Sequence, residues 1–342
     1  MTVATLGVFT SCHNAHSEFP DFEYSTVYFP YQSPVRTLVL GEDDQVDNTM
    51  DNNHQFQIYA TMGGVYQNDK NININVAVDN TLCDRLKYLD AMGAVLGNVT
   101  ALPADYYTMQ GSQIQLDKAM QGAVTIQLTD KFFADTAAMT TKYVLPLIMT
   151  NVTGADRILE GESLVDNPIL PKNDDWSVLP KNYTLYAVKY INPWDASYLR
   201  RGADVIVHNG AAPINATRRA AFVENDELCD LQTLSMSEVK FPYTLTFNDG
   251  AADVTKTCDL TLAFADNACT ISTSTAGVSV VSGTGTFEQD TENWGNKKRN
   301  ALYLDYQLSF DNAGTITTVA VKDTLVYRSR DLKAELFTYT YE

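Results

Sequence analysis

Three tryptophans stand where an indole can do chemistry. They lie in the polar runs Asn173-Asp174-Asp175-Trp176, Asn192-Pro193-Trp194-Asp195 and Glu292-Asn293-Trp294-Gly295. A flat ring beside amides and carboxylates can seat a sugar and bind its hydroxyls. The competing reading is a ring that caps a core, since large aromatics are highly buried on average. A second cluster is acidic: Glu42, Asp43, Asp44, Asp47, Asn48 and Asp51. Calcium takes several oxygens from such a loop, with Asp43, Asp44, Asp47 and Asp51 as the weak candidates. The spacing does not match an EF-hand, which favours a solvated loop.

A third position is Cys12, at the end of Leu6-Gly7-Val8-Phe9-Thr10-Ser11-Cys12. A thiol after an apolar run and a small residue can carry lipid and anchor the rest of the chain. Signal segments begin with a basic region. No Lys or Arg precedes this one, and the segment is short, so Met1 reads as internal to a longer signal or added to it. No later apolar run is long enough to span a bilayer. Attachment to a membrane would then be through lipid alone.

Other signals are weak. No H-E-x-x-H, G-x-S-x-G, Walker A or dinucleotide fingerprint occurs. Glycoside hydrolysis needs two carboxylates facing across a cleft. With 42 Asp and Glu, some pair will always exist, so that signal is nearly empty. His13, His16, His54 and His208 do not cluster, and no metal or other cofactor is expected. The sequons at Asn98, Asn151, Asn182 and Asn215 read as chance in a chain rich in Asn and Thr.

The formal net charge is −18, which disfavours nucleic acid through phosphate repulsion. Arg200-Arg201, Arg218-Arg219 and Lys297-Lys298-Arg299 read as solvated loop charges. Apart from Cys12, Cys83, Cys229, Cys258 and Cys269 allow three pairings. Cys258 and Cys269 could meet across a hairpin, or all four could be buried thiols.

The elements that must position these residues are mainly strands. Asn71-Ile72-Asn73-Ile74-Asn75-Val76-Ala77-Val78 alternates strictly, so its apolar face is buried and its Asn row faces out. Leu82, Leu86, Leu89 and Met92 fall at spacings of four, three and three, which predicts a short helix within residues 80–97. Strand patterns resume toward residue 149. Residues 160–180 hold Gly161, Pro168, Pro171 and Pro180 and read as a linker. Beyond it strands run to the C-terminus, with a tight turn at Asp311-Asn312-Ala313-Gly314. The expected plan is all-β. Residues 1–22 are signal and tether, 23–160 an immunoglobulin-like sandwich, 161–180 a linker, and 181–342 an antiparallel barrel or sandwich.

Longer segments carry a resemblance. Thr26-Val-Tyr-Phe-Pro-Tyr-Gln-Ser-Pro-Val-Arg-Thr-Leu-Val-Leu-Gly41, Val76-Ala-Val-Asp79, Leu102-Pro-Ala-Asp-Tyr-Tyr107 and Tyr143-Val-Leu-Pro-Leu147 resemble the adhesin-like N-terminal domain of Bacteroidetes surface lipoproteins. Leu185-Tyr-Ala-Val-Lys-Tyr-Ile-Asn-Pro-Trp194, Tyr198-Leu-Arg-Arg-Gly202, Trp294-Gly-Asn-Lys-Lys-Arg299 and Leu302-Tyr-Leu-Asp-Tyr306 resemble its usual C-terminal partner.

The resemblance implies an immunoglobulin-like first domain and a lipocalin-like barrel or sandwich after it. It implies a non-catalytic accessory protein on the outer membrane that binds glycan or scaffolds a glycan importer. No catalytic residues come with it. One departure is that His13-Asn-Ala-His16 follow Cys12 where such lipoproteins usually place acids. A protein-binding adhesin or structural module is the alternative, and a glycoside hydrolase the third.

Overall fold

A computed structural model describes residues 22–43 and 45–342. Cys12, His13, His16 and Asp44 lie outside them. The described chain is almost entirely β-structure, mostly antiparallel, in two units. None of its helices is long and apolar enough to cross a membrane.

The first unit is a sandwich of two sheets. One contains Thr26–Tyr28, Gln55–Gly63 and Gln121–Leu128; the other contains Pro34–Val39, Tyr183–Ile191, Tyr143–Thr153, Asn71–Val78 and Gln113–Asp117. Period-two alternation builds its core. Phe56, Ile58, Ala60 and Met62 face Ile72, Ile74 and Val76 across the sandwich, with Leu145, Leu147 and Met149 beside them. The Asn row faces outward as expected, and Asn75 accepts a hydrogen bond from the Gln113 amide at 2.8 Å.

The second unit is a nine-stranded antiparallel sheet that contains Ile214–Arg218 and Ala196–His208 and runs on to Thr315–Ser329. Ala196–His208 also pairs with Thr315–Ser329 over Ser197–His208. The sheet therefore closes into a barrel, with Ile214–Arg218 and Glu227–Thr233 lying end to end along the other edge of Ala196–His208. Closure removes the open edges that an antiparallel sheet would otherwise expose. Val239, Phe241, Tyr243, Leu245 and Phe247 on one strand and Leu302, Leu304, Tyr306, Leu308 and Phe310 on another fill the interior. The expected turn joins the last two barrel strands. Ala313 and Gly314 take φ of 51° and 89°, and the Asp311 carboxylate accepts the Gly314 N–H at 3.0 Å.

The structure corrects several expectations. In place of a helix within residues 80–97 there is a single 3-10 turn, Asn80–Cys83, followed by the hairpin Leu86–Leu89 and Val95–Asn98. Leu86 and Tyr88 are buried with period two, while Met92 at the tip is 95% exposed. Pairing of Leu86–Leu89 with the distant strand Thr338–Tyr341 overrides the helical spacing.

The unit boundary also differs. Tyr183–Ile191 pairs with Tyr143–Thr153 and with Pro34–Val39, so it belongs to the sandwich. The C-terminal segments Glu335–Leu336 and Thr338–Tyr341 return to that unit as well. Within the expected linker, Glu162–Ser163 pairs with Trp176–Val178.

Two of the basic pairs are not solvated loops. Arg200 lies inside the barrel, bonded to Asp323 at 3.1 Å, with its guanidinium 5.0 Å from the Tyr243 ring. Arg218 bridges Asp204 at 2.7 Å and Asp323 at 2.6 Å, and Tyr306 donates its hydroxyl to Asp323 at 2.7 Å. Buried charges persist only when paired and hydrogen-bonded. Gly202 makes room for this cluster, since a Cβ there would meet the Lys322 carbonyl oxygen at 2.2 Å. Arg201 pairs with Asp226.

Of the two readings of the cysteines, buried thiols is the one found. Cys258 opposes Tyr243 and Cys269 opposes Phe264, so those two do not meet across their hairpin. All four described cysteines are free and buried. Burial pushes the Cys258 thiol up to about 11 and those of Cys83, Cys229 and Cys269 to about 12.

Ile74 is fully buried between the two sheets. Ile74→Asp places an unpaired carboxylate there and is expected to cost about 4 kcal/mol or more. A thermal melt should show the sandwich lost or strongly destabilised. An unchanged melting temperature would mean that this face does not point inward.

Candidate functional site

Between the units the chain crosses at residues 192–195 and returns at Arg330. Arg330 is buried, and its guanidinium gathers carbonyls from both sides of the crossing. Its Nη1 donates to Asn192 at 2.7 Å and Asp195 at 3.0 Å. Its Nη2 donates to Leu40 at 3.0 Å, Pro193 at 2.9 Å and Glu42 at 3.4 Å. Asn192 is fully buried, and its amide donates to the Ser235 and Glu238 carbonyls of the barrel.

The Asp195 carboxylate accepts the Thr233 N–H at 2.6 Å and hydroxyl at 2.7 Å. Burial pushes its carboxyl up, against the opposing pull of Thr233 and Arg330. A raised carboxyl favours the folded state when protonated, and that contribution fades as pH rises through the folded value.

This junction frames a polar cleft of about 350 Å³. One wall is the acidic loop, through Glu42, Asp43, Asn48 and Asn52. The loop is rigidified locally. Asn48 donates to Val39 and Gly41, and Asn52 exchanges two hydrogen bonds with Gly41. Gly41, at φ +85°, packs so close to Pro193 that a Cβ would lie 2.6 Å from the proline Cβ. Only glycine combines that φ with that approach.

The other wall is the end of the barrel hairpin formed by Val278–Trp294 and Lys297–Asn312. Its register shifts between Glu288 and Glu292. This bulge presents Gln289 and Asp290 toward the loop, with Asp290 at φ 56°. Lys298, Arg299, Asn300 and Tyr327 complete the lining. Gln289 donates to Glu42 at 2.9 Å and so bridges the two walls. Amides, carboxylates and two cations thus surround one space, a lining suited to a ligand rich in hydroxyl groups.

Trp294 contacts two residues of the lining. Its indole N–H donates to the Tyr327 carbonyl at 3.1 Å, and the Arg299 guanidinium lies 4.3 Å from its ring centre. Trp194 stacks on Phe264 with centroids 3.9 Å apart and packs on the barrel core. Trp176 lies in the small hairpin beside the sandwich, with its indole N–H on the Ile169 carbonyl at 3.0 Å. The three indoles sit on separate elements.

The carboxylates proposed for calcium serve the loop backbone. Asp43 accepts the Gln45 and Val46 N–H groups. Asp47 accepts the Thr49 N–H, and hydrogen bonding to Thr49 lowers its pKa. Asp51 is buried, accepts the Val39 N–H at 2.9 Å and pairs with Arg36. Among the described residues no group of three His, Cys, Asp or Glu side chains is placed to hold a metal. Gln289, Asp290, Asn300 and Tyr327 gave no signal of a site in the sequence. The polar run Glu288-Gln-Asp-Thr-Glu292 was the one trace, because it interrupts an alternating strand.

Fold and cleft define a class: a two-unit β-protein, sandwich then closed barrel, with a polar pocket clamped at the junction. Residues 22–156 match an N-terminal-domain family, and residues 193–331 match DUF5627, a domain of unknown function. A solved protein of unknown function from Bacteroides ovatus is 40% identical, over 94% of this chain and 100% of that one, with a TM-score of 0.85. The chain belongs to the same family as that protein. An auxiliary nutrient binding protein from Bacteroides thetaiotaomicron is 14% identical, over 85% of this chain and 90% of that one. Its TM-score is 0.34, too low to carry an argument. No curated protein matches.

Arg330→Met removes every one of these donors while keeping much of the side-chain volume. Stranding buried carbonyls costs about 1–3 kcal/mol each where no water reaches them. The expected result is a loss on the order of 3 kcal/mol in denaturant unfolding. New protease cleavage near residues 40–44 or 192–195 should accompany it. Unchanged unfolding and protection would show that the junction is held by other contacts.

Proposed function

We propose that this protein is a non-catalytic glycan-binding component of an outer-membrane uptake system, held on the membrane by lipid on Cys12. The observation that carries the reading is the junction cleft, where amides, carboxylates and cations converge with Tyr327, against which Trp294 is hydrogen-bonded. Saccharides are recognised by such convergent polar groups next to an aromatic surface. Binding is favoured over hydrolysis by how the acids are used. Glu42 is engaged by Gln289, and Asp43 caps the backbone of its own loop. Resemblance to Bacteroidetes surface lipoproteins, with the Bacteroides ovatus relative, supports the setting.

Affinity electrophoresis through gels containing host and plant polysaccharides tests the binding. Wild-type protein should be retarded by at least one of them. Asp290→Ala and Lys298→Ala, both on the barrel wall, should weaken that retardation about tenfold or more, as loss of a charged hydrogen bond predicts. No retardation by any polysaccharide would end the binding version and leave the scaffold. The anchor is checked separately. Cells fed radiolabelled palmitate should label the wild type and not Cys12→Ala, and label that survives the substitution would remove Cys12 from the scheme.

A protein-binding module is the second reading. The hairpin Leu86–Leu89 and Val95–Asn98 favours it, because Met92 and Leu96 are 95% and 70% exposed at its tip.

A further inference from the structure

A second pocket, of about 330 Å³, opens at the other end of the strand Pro34–Val39. Eight residues take the chain from Pro34 to Glu42. At about 3.3 Å per extended residue, the pocket and the junction cleft stand on the order of 25 Å apart along the chain.

The pocket exists because Thr26–Tyr28 is short. It pairs with Gln55–Gly63 only at Thr61, Met62 and Gly63. The chain then leaves through Phe29, Pro30 and Tyr31 to the opposite sheet, where the Thr184 hydroxyl donates to the Tyr31 carbonyl at 2.9 Å. The gap left beside Ile58 and Tyr59 is lined by Tyr31, Tyr59 and Tyr186, with Pro30, Pro34 and Gln121.

No lining residue carries a charge, although the chain as a whole is strongly acidic. Tyr31 and Tyr59 are 62% and 46% exposed. Tyr59 and Tyr186 are nonetheless held in place. Tyr59 donates to the Gln57 side-chain oxygen at 2.6 Å, and the Gln57 amide donates to Thr125 at 3.3 Å. Tyr186 stacks on Phe56 at 5.5 Å and donates its hydroxyl to the Gln57 carbonyl at 3.3 Å. That last bond decides between two occupants. An added peptide strand would need the Gln57 carbonyl for pairing, and Tyr186 already takes it. A pyranose needs no strand edge. Its apolar C–H faces suit the electron-rich tyrosine faces, and its hydroxyls suit Gln121 and the phenols.

We propose that this pocket is a second carbohydrate site, selective for uncharged saccharides, on the sandwich unit. It rests on the glycan-binding reading of the protein but on none of the cleft residues. A glycan long enough to reach both sites would be held by both, with avidity beyond either alone.

The test uses the full-length protein in gels containing neutral polysaccharides (glucan, xylan, mannan) or the acidic polygalacturonate. The double variant Tyr31→Ala/Tyr59→Ala removes two exposed rings, and circular dichroism checks its fold. A Gln121→Ala variant, which alters one exposed amide, keeps the test valid if the double variant misfolds. Expected is at least a tenfold loss of affinity for one neutral polysaccharide in the double variant, a smaller loss in Gln121→Ala, and no change toward polygalacturonate.

Wild-type affinity for every neutral polysaccharide in the folded variants would overturn the proposal, as would no neutral binding by the wild type. Saturable binding of an extended peptide that is lost in the tyrosine variants, without saccharide binding, would overturn it in favour of strand addition. Asp290→Ala and Lys298→Ala report on the cleft independently. Loss confined to them ends the pocket proposal and leaves the cleft reading standing, and loss confined to the tyrosine variants does the reverse.

Discussion

The Arg330 guanidinium holds the two units in register. A barrel and a sandwich joined by only two crossings would ordinarily move against each other. Here one buried cation draws carbonyls of the acidic loop, the crossing segment and the start of the barrel onto a single point. Its contacts are charge-assisted and largely shielded from water, so each is stronger than a neutral bond at the surface. Gly41 packed on Pro193 and Asn192 bonded into the barrel tighten the same joint. The cleft inherits its shape from that joint, because its two walls come from different units.

A second buried charge cluster does a different job in the barrel. Arg200, Asp204 and Asp323 are buried where apolar side chains would be expected, and Arg218 reaches both carboxylates. Replacing such a cluster by well-packed apolar residues is often neutral or stabilising. What it adds is specificity of register. Arg200 and Asp323 come from the two strands whose pairing closes the barrel, and any slip would strand a charge in the core. Closure by a salt bridge and closure by backbone pairing thus depend on the same alignment.

Much of the fold was legible one strand at a time. Alternation in Asn71–Val78 and in the closing barrel strands reads directly as inward and outward faces, and Asp311-Asn312-Ala313-Gly314 reads as a turn. The all-β class followed from such local signals. The cleft was far less legible. Its acidic loop and Trp294 drew attention for their chemistry, and Lys298 and Arg299 looked like ordinary surface charges. Nothing placed these residues together, because Asn52 and Lys298 lie far apart along the chain and contour length carries no direction.

The sequence by itself determined part of the local grammar: the strictly alternating strands, which of their faces turn inward, and the turn at Asp311-Asn312-Ala313-Gly314. These depend on side-chain alternation and on backbone preferences that neighbouring residues set. The tertiary structure alone decided which strands pair. It moved Tyr183–Ile191 into the sandwich, turned a helical spacing into a hairpin beside the C-terminal strand, and set a buried Arg200 and a half-buried Arg218 against a carboxylate distant in sequence. Pairing partners, buried charges and the cleft all arise from contacts between remote segments, and a pattern read along one segment holds no record of the segment it will meet.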